Sequence, residues 1–214
     1  MLKPEDIPTP AVRRLSLYLR QLEVFHAADR RTVSSRQLGE ALSLSDAQVR
    51  KDFAYFGQFG HPGIGYRVPE LIQRVRRILG TDKPSNVLIA GVGNLGRALI
   101  SFSGFAKRGF EVVAAFDHDP RVIGMKSTGA IPFTVQPLSQ LPIAVREKSI
   151  RLGILAVPAS AAQSVADVMV AGGIRGILNF APVTLQTGSE IAVASVDLGV
   201  RLEQLSFQLG MVGG

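Results

Sequence analysis

Asn86-Val87-Leu88-Ile89-Ala90-Gly91-Val92-Gly93-Asn94-Leu95-Gly96 decides the reading of this 214-residue chain. A short apolar run ends in Gly-x-Gly-x-x-Gly, and a helical pattern opens at Asn94. In that context each glycine has a task. Gly91 permits the tight turn, Gly93 lets backbone approach a pyrophosphate, and Gly96 allows the helix to pack closely on the strand. The helix N-terminus adds unpaired N–H groups and the positive end of its dipole. Asp117 ends the next apolar segment, 21 residues after Gly96, where a carboxylate accepts hydrogen bonds from an adenosine ribose. Together these features predict a dinucleotide site, NAD being preferred over NADP because the charge of Asp117 repels a 2′-phosphate and no Arg follows it directly. Asp119, in an Asp119-Pro120 turn, is a further candidate ligand.

Working outward, strands are expected over 86–90, 111–116, 152–157, 176–180 and 191–196, with helices over 94–106 and 159–171. Such alternation implies α/β architecture with a parallel sheet, a Rossmann-like domain. A last amphipathic segment over 198–209 carries Leu202, Leu205 and Leu209 on one stripe.

Upstream the pattern is different. Val12, Leu15, Leu19 and Leu22 recur at helical spacing, predicting a helix over 10–26. Ser34 precedes Gln37, and Ser45 precedes Gln48, by three residues, so capping boxes open short helices over 35–42 and 46–56. The glycine-rich stretch Gly57 to Tyr66 suits a hairpin, and Pro69 opens a helix over 69–79 with Leu71, Val75, Ile78 and Leu79 on one face. Three helices, a glycine hairpin and a fourth helix describe a winged helix-turn-helix. The Arg-rich pattern stops near Gly80-Thr81-Asp82-Lys83-Pro84-Ser85, dividing the chain into 1–80 and 81–214.

Residues 1–80 hold 13 of the 24 Lys/Arg but only 8 of the 17 Asp/Glu, so most of the net charge of +7 sits in the smaller half. That excess suits a domain that meets phosphates. The chain has no cysteine, which excludes thiol redox chemistry and thiolate metal sites, so any redox sensitivity must come from a bound ligand. No metal is expected. Apolar stretches stop well short of a membrane span and residues 1–10 carry no apolar signal segment, so a cytoplasmic protein is expected.

A hydride-transfer enzyme needs a positioned acid or base beside the nicotinamide. Tyr18, Tyr55 and Tyr66 all lie in the N-terminal half, and His118 sits at the adenosine end beside Asp117. Lys83, Lys107, Lys126 and Lys148 read as solvated surface. No catalytic residue is expected. The alternatives are an NAD-dependent oxidoreductase carrying a nucleic-acid-binding domain, or an assembly or CoA-binding protein.

On the second short helix Val49, Phe53 and Phe56 share the buried face, leaving Gln48, Arg50, Lys51 and Tyr55 nearer the surface. Gln48 and Lys51 are placed to reach base edges and Arg50 to reach phosphate. Ser34, Ser35 and Arg36 are candidate backbone contacts, and the hairpin with Gly63, Gly65 and Tyr66 a candidate wing.

Val49-Arg50-Lys51-Asp52-Phe53-Ala54-Tyr55-Phe56-Gly57, followed by Gly63-Ile64-Gly65-Tyr66, resembles the signature of the Rex redox-sensing repressors. The likeness extends to Gly91-Val92-Gly93-Asn94-Leu95-Gly96, Phe116-Asp117, Ala156-Val157-Pro158 and Gly176-Ile177-Leu178-Asn179-Phe180-Ala181-Pro182, and so to nearly the whole chain. The resemblance implies a homodimer, with the helix over 198–209 packing against the partner subunit, on palindromic operator DNA, released by NADH and permitted to bind by NAD+. It adds Val157, Pro158, Asn179, Phe180 and Ala181 to the cofactor set. It also implies a switch in which Arg20 of the first helix pairs with Asp197 before the last one, near Phe102, which stands where the family often has Tyr; Leu198 stands where an aromatic residue can occur.

Overall fold

The computed structural model describes residues 7–60 and 64–212. The chain divides into two compact units between Lys83 and Pro84. Gly63 and His61 lie outside the described residues.

The first unit runs α1 (Thr9–Ala27), β1 (Thr32–Val33), α2 (Ser35–Ala41), α3 (Asp46–Ala54), β2 (Tyr66–Arg67) and α4 (Val68–Ile78). It is a winged helix. Ala11, Leu15, Tyr18, Leu22 and Phe25 form the buried stripe of α1. Of the expected stripe, Leu15 and Leu22 are buried and Leu19 packs against the core, but Val12 is 39% exposed, and Ala11 and Tyr18 complete the buried face instead. In α4, likewise, Val68, Leu71, Ile72 and Val75 are buried while Ile78 reaches solvent. Leu38 of α2 and Val49 and Phe53 of α3 close this core.

The two capping boxes differ. Ser34 Oγ accepts from the Gln37 N–H at 3.1 Å while Gln37 Oε1 accepts from the Ser34 N–H at 2.9 Å, a complete box. Ser45 Oγ accepts from the Gln48 N–H, but the Gln48 side chain turns to Asp52 instead of back to Ser45. The expected hairpin includes 61–63, which lie outside the described residues. Among the described residues, Tyr66–Arg67 pairs antiparallel with Thr32–Val33. In the 57–60 arm Phe59 packs on Phe53 with 5.2 Å between ring centroids, and Arg74 holds the arm by donating to the Gln58 carbonyl at 2.8 Å.

The second unit contains β3 (Ser85–Ala90), α5 (Asn94–Ile100), β4 (Phe110–Asp117), β5 (Gln136–Pro137), α6 (Leu141–Glu147), β6 (Leu152–Leu155), α7 (Ala159–Gly172), β7 (Gly176–Asn179), β8 (Ala192–Ser195) and α8 (Leu198–Val212). All six strands are parallel, in the order β5-β4-β3-β6-β7-β8. The order reverses direction between β3 and β6, which is the Rossmann arrangement and marks the crevice where such sheets bind nucleotides. Helices α6 and α7 cover one face through Leu141, Val145, Ala162, Val165 and Met169.

Helix α5 stops six residues before its expected end. Ser101 Oγ bonds back to the Arg97 carbonyl at 3.0 Å, and the Ser-Phe-Ser-Gly run beyond it turns away. Sequence periodicity carries no signal for β5 and α6, which are too short for a pattern.

Helix α8 projects its stripe into solvent: Leu202, Leu205, Phe207 and Leu209 are 55–74% exposed. The sheet face over β6, β7 and β8 is also open, forming a cavity of about 490 Å³ lined by Phe102, Phe105, Ile154, Leu178 and Val193.

Candidate nucleotide site and nucleic-acid interface

Parallel register gathers the nucleotide-site residues expected from the sequence. Ala90 lies level with Phe116 on one side and Leu155 on the other, and Leu155 is level with Asn179. The segments leaving these strands are Gly91–Gly96, Asp117–Asp119, Val157–Pro158 and Phe180–Ala181, so all emerge at one carboxyl edge.

The three glycines have different physical reasons. Gly91 has φ +97°, and a Cβ there would sit 2.4 Å from the Ala156 carbonyl oxygen. A Cβ on Gly96 would sit 1.9 Å from the Gly91 oxygen. The fold itself forbids a side chain at both. Gly93 has an ordinary φ of −70°, and nothing lies within 4 Å of where its Cβ would stand. No protein atom requires glycine there; the space lies in front of the N-terminus of α5, which has no side-chain cap. Exposed backbone donors facing open space fit a phosphate group. Asn94 and Leu95 are exposed at the same place, whereas Val92 turns its side chain into the core.

Asp117 and Asn179 each carry hydrogen bonds that shape the loops of the site. Asp117 is 8% exposed; Oδ2 accepts from the Val92 N–H at 2.6 Å, and Oδ1 from the N–H groups of His118 and Asp119 at 2.7 and 2.9 Å. This carboxylate ties the fingerprint loop to the loop after β4. Asn179 is fully buried, donating to the Val183 carbonyl at 2.8 Å and accepting from the Ala181 N–H at 2.9 Å. Its amide is consumed in shaping the loop, so it supports the site instead of lining it. Ala181 is buried, while Val157 and Phe180 are half-buried and Pro158 is exposed at the start of α7. Asp119 grips Arg121 bidentately at 2.7–3.0 Å, which pulls its carboxyl down to about 2. Arg121, the first arginine after Asp117 in the sequence, is thereby engaged in a surface ion pair.

Phe102 is 54% exposed and stands edge-on to Phe105 at 5.1 Å. Asp197 Oδ1 accepts from the Val200 N–H at 3.1 Å, capping α8. Arg20 is exposed on α1. Among the described residues no three His, Asp or Glu side chains converge as a metal site, and no helix is long and apolar enough to cross a membrane.

In the winged helix, Lys51 is exposed, and Arg50 is exposed but braced, donating to Asp46 Oδ2 at 2.6 Å and Ser35 Oγ at 3.3 Å. Arg36 pairs with Glu40 at 2.8 Å on the surface of α2. Gln48 and Tyr55 are half-buried. Gly65, at φ +82°, is required by the Val33 carbonyl, 2.6 Å from its would-be Cβ. Tyr66 is only 8% exposed and packs edge-on against Phe53 at 5.2 Å, so it belongs to the core beneath the wing and not to its outer surface. Missing from the sequence-derived site is Asp52, fully buried yet hydrogen-bonded to Arg14, Tyr18 and Gln48. Its place inside the quoted motif was the available signal.

Two family models match: one described as "Putative DNA-binding protein N-terminus" over residues 6–54, and one described as "CoA binding domain" over 82–183. The curated protein "Redox-sensing transcriptional repressor Rex" of Desulforamulus reducens is 43% identical over 210 residues, covering 98% of this chain and 99% of its own. The chain belongs to the Rex family. The Rex of Carboxydothermus hydrogenoformans is 44% identical, covering 97% of this chain and 99% of its own. Among solved structures, a Rex-family repressor, RSP, in complex with NAD+ and operator DNA superposes with a TM-score of 0.90 at 35% identity, covering 97% of this chain and 94% of its own. The same repressor in complex with NADH gives 0.85 at 33% identity, covering 97% and 96%. A Rex protein is a redox-sensing transcriptional repressor, which agrees with a winged helix joined to a nucleotide fold.

Proposed function

We propose that the second unit senses the NADH/NAD+ ratio and that the first reads a palindromic operator, NAD+ permitting binding and NADH releasing the DNA. The observation that carries this is the opening at Gly93, where nothing lies within 4 Å of a would-be Cβ and uncapped N–H groups face it; no residue of the sequence is expected to act as acid or base there. The nucleotide is then a signal rather than a substrate, and the protein is not an enzyme. Gly91 to Gly96, Val157, Pro158, Phe180 and Ala181 form the cofactor surface; Asp117 and Asn179 shape it. The carboxylate of Asp117 and the engagement of Arg121 by Asp119 favour NAD(H) over its 2′-phosphorylated counterpart.

Lys51, Arg50 and Gln48 of α3, with Ser34, Ser35 and Arg36 of α2, form the DNA surface, and Tyr55 borders it. The exposed stripe of α8 and the open face over β6–β8 are two apolar surfaces that a second copy covers, making a cytoplasmic homodimer whose two-fold axis matches a palindrome. Two ligands that bound both arrangements equally would shift nothing, and a hundredfold change in DNA affinity needs about 2.7 kcal/mol of coupling. NADH and NAD+ differ in the charge of the nicotinamide, so the switch needs charged partners: Arg20 and Asp197, with Phe102.

A gel shift on a palindromic operator with either nucleotide added tests the whole reading. Release by NADH alone supports it; NADH turnover with an aldehyde or keto acid, and indifference of the DNA complex, overturns it.

A further inference from the structure

We infer that Asp52 is a positioning residue for sequence recognition: it locks the recognition helix α3 to α1 and presets the Gln48 amide for base reading. This rests on the reading of α3 as the DNA-recognition helix.

Asp52 is fully buried, and both its oxygens are filled. Arg14 donates from Nε to Oδ2 at 2.5 Å and from Nη2 to Oδ1 at 2.8 Å. The Tyr18 hydroxyl donates to Oδ2 at 2.6 Å, and Gln48 Nε2 to Oδ1 at 2.8 Å. A carboxylate has about four lone-pair sites, and all four are used. Burial by itself would push the Asp52 carboxyl up, but the hydrogen bonds from Arg14, Tyr18 and Gln48 prevail and hold it low. Burial, with the bond to Asp52, pushes the Tyr18 phenol up.

Such a cluster is a poor way to gain stability, because apolar residues of the same volume often do as well. Its distinctive property is geometry. Arg14 and Tyr18 lie one turn apart on α1, so Asp52 has two fixed points on that helix, and the Tyr18 and Phe53 rings, 5.2 Å apart, hold the same pair of helices. A planar fork and a phenol leave the carboxylate one orientation.

Gln48 inherits that orientation. A carboxylate only accepts, so the amide must present Nε2 to Asp52, which removes the usual ambiguity of a glutamine side chain. Oε1 and the second N–H remain, with no intramolecular partner among the described residues. That acceptor–donor pair is the one that meets N6 and N7 of an adenine edge. A freely rotating glutamine loses rotamer entropy on binding; one already held loses less. In this account Arg14 and Tyr18 act through Asp52, and Asp52 through Gln48.

The test uses the full-length protein and measures affinity for the operator, for a set of operators with single base-pair changes, and for unrelated duplex DNA. Gln48→Ala identifies the base pair that Gln48 reads. Asp52→Asn is expected to flatten discrimination at that same base pair by about tenfold while changing affinity for unrelated DNA less than about twofold. The double variant should discriminate there no worse than Gln48→Ala alone. Tyr18→Phe keeps the core ring and removes one hydrogen bond, so it should flatten the same base pair by about threefold even if Asp52→Asn does not fold. Equal loss on operator and unrelated DNA in Tyr18→Phe, or flattening at a base pair that Gln48→Ala leaves untouched, overturns the inference alone. A wild-type protein without preference for operator over unrelated DNA removes the underlying reading instead.

Discussion

The backbone N–H of Val92 donates to Oδ2 of Asp117 across 2.6 Å. Because Oδ1 accepts from His118 and Asp119, one buried carboxylate clips the fingerprint loop to the end of β4. Asp117→Ala leaves three N–H groups without that acceptor, at a cost of about 1–3 kcal/mol for each one that water cannot reach. The expected outcome is a lowered melting temperature together with weakened NADH binding. Asp117→Asn should fall between, since its amide can accept on one side only. Unchanged melting in Asp117→Ala would show that the clip is not needed to hold the loop.

Gly93 and Gly91 should respond in opposite ways. At Gly93 the backbone is compatible with any residue and the space is open, so Gly93→Val is expected to keep the melting temperature. It should lose on the order of a hundredfold in NADH affinity, about 2.7 kcal/mol, and hold operator DNA whether NADH is present or not. At Gly91 the left-handed φ and the Ala156 carbonyl make Gly91→Ala destabilising by about 1–3 kcal/mol. Full NADH affinity in Gly93→Val, read by nucleotide fluorescence, removes the phosphate from that opening.

Lys51 is exposed on α3 and, among the described residues, forms no ion pair. Lys51→Ala should weaken operator binding, reduce the slope of log affinity against log salt by about 1, and leave NADH affinity unchanged. Arg50, braced by Asp46 and Ser35, is a second phosphate candidate. Unaltered operator affinity in Lys51→Ala takes Lys51 out of the interface.

Asp197 caps α8 as well as standing as the proposed partner of Arg20, so its two roles must be separated. Asp197→Ser keeps a capping oxygen but not the charge, while Asp197→Ala removes both and costs about 1 kcal/mol of helix stability. Both variants should bind operator and resist release by NADH. Normal NADH-induced release in Asp197→Ser would falsify the charged link.

Leu205 is 55% exposed in the middle of the α8 stripe. Leu205→Glu puts a charge where the second copy is expected, so the protein should elute as a monomer by light scattering and lose affinity for a two-half-site operator, with its NADH site retained. A dimer of wild-type strength in this variant places the interface elsewhere.

Much of the chain was legible from residue order. Gly-x-Gly-x-x-Gly after an apolar strand demanded the turn: the left-handed φ of Gly91 and the contact of Gly96 with Gly91 are local, whereas the Ala156 carbonyl that also crowds Gly91 is brought there by folding. The alternation of strand and helix implied the parallel sheet, and Ser34 with Gln37 marked the start of α2. Short elements escaped: β5 and α6 are too brief for periodicity to speak, and the early end of α5 follows from Ser101 bonding back to its own helix.

What residue order determined, then, was the pair of domains, the glycine loop and the succession of strands, because each is written in local periodicity and glycine spacing; parallel register then brought the strand ends to one edge. Tertiary structure alone decided which polar groups are free to act. Asp117 and Asn179 have the residue types of ligands and also tie backbone groups of the loops together, Tyr66 is drawn into the core by Phe53, and Asp52 is buried between Arg14 and Tyr18. A polar side chain's role depends on what fills its hydrogen-bonding capacity, and those partners come from distant parts of the chain that only folding brings together.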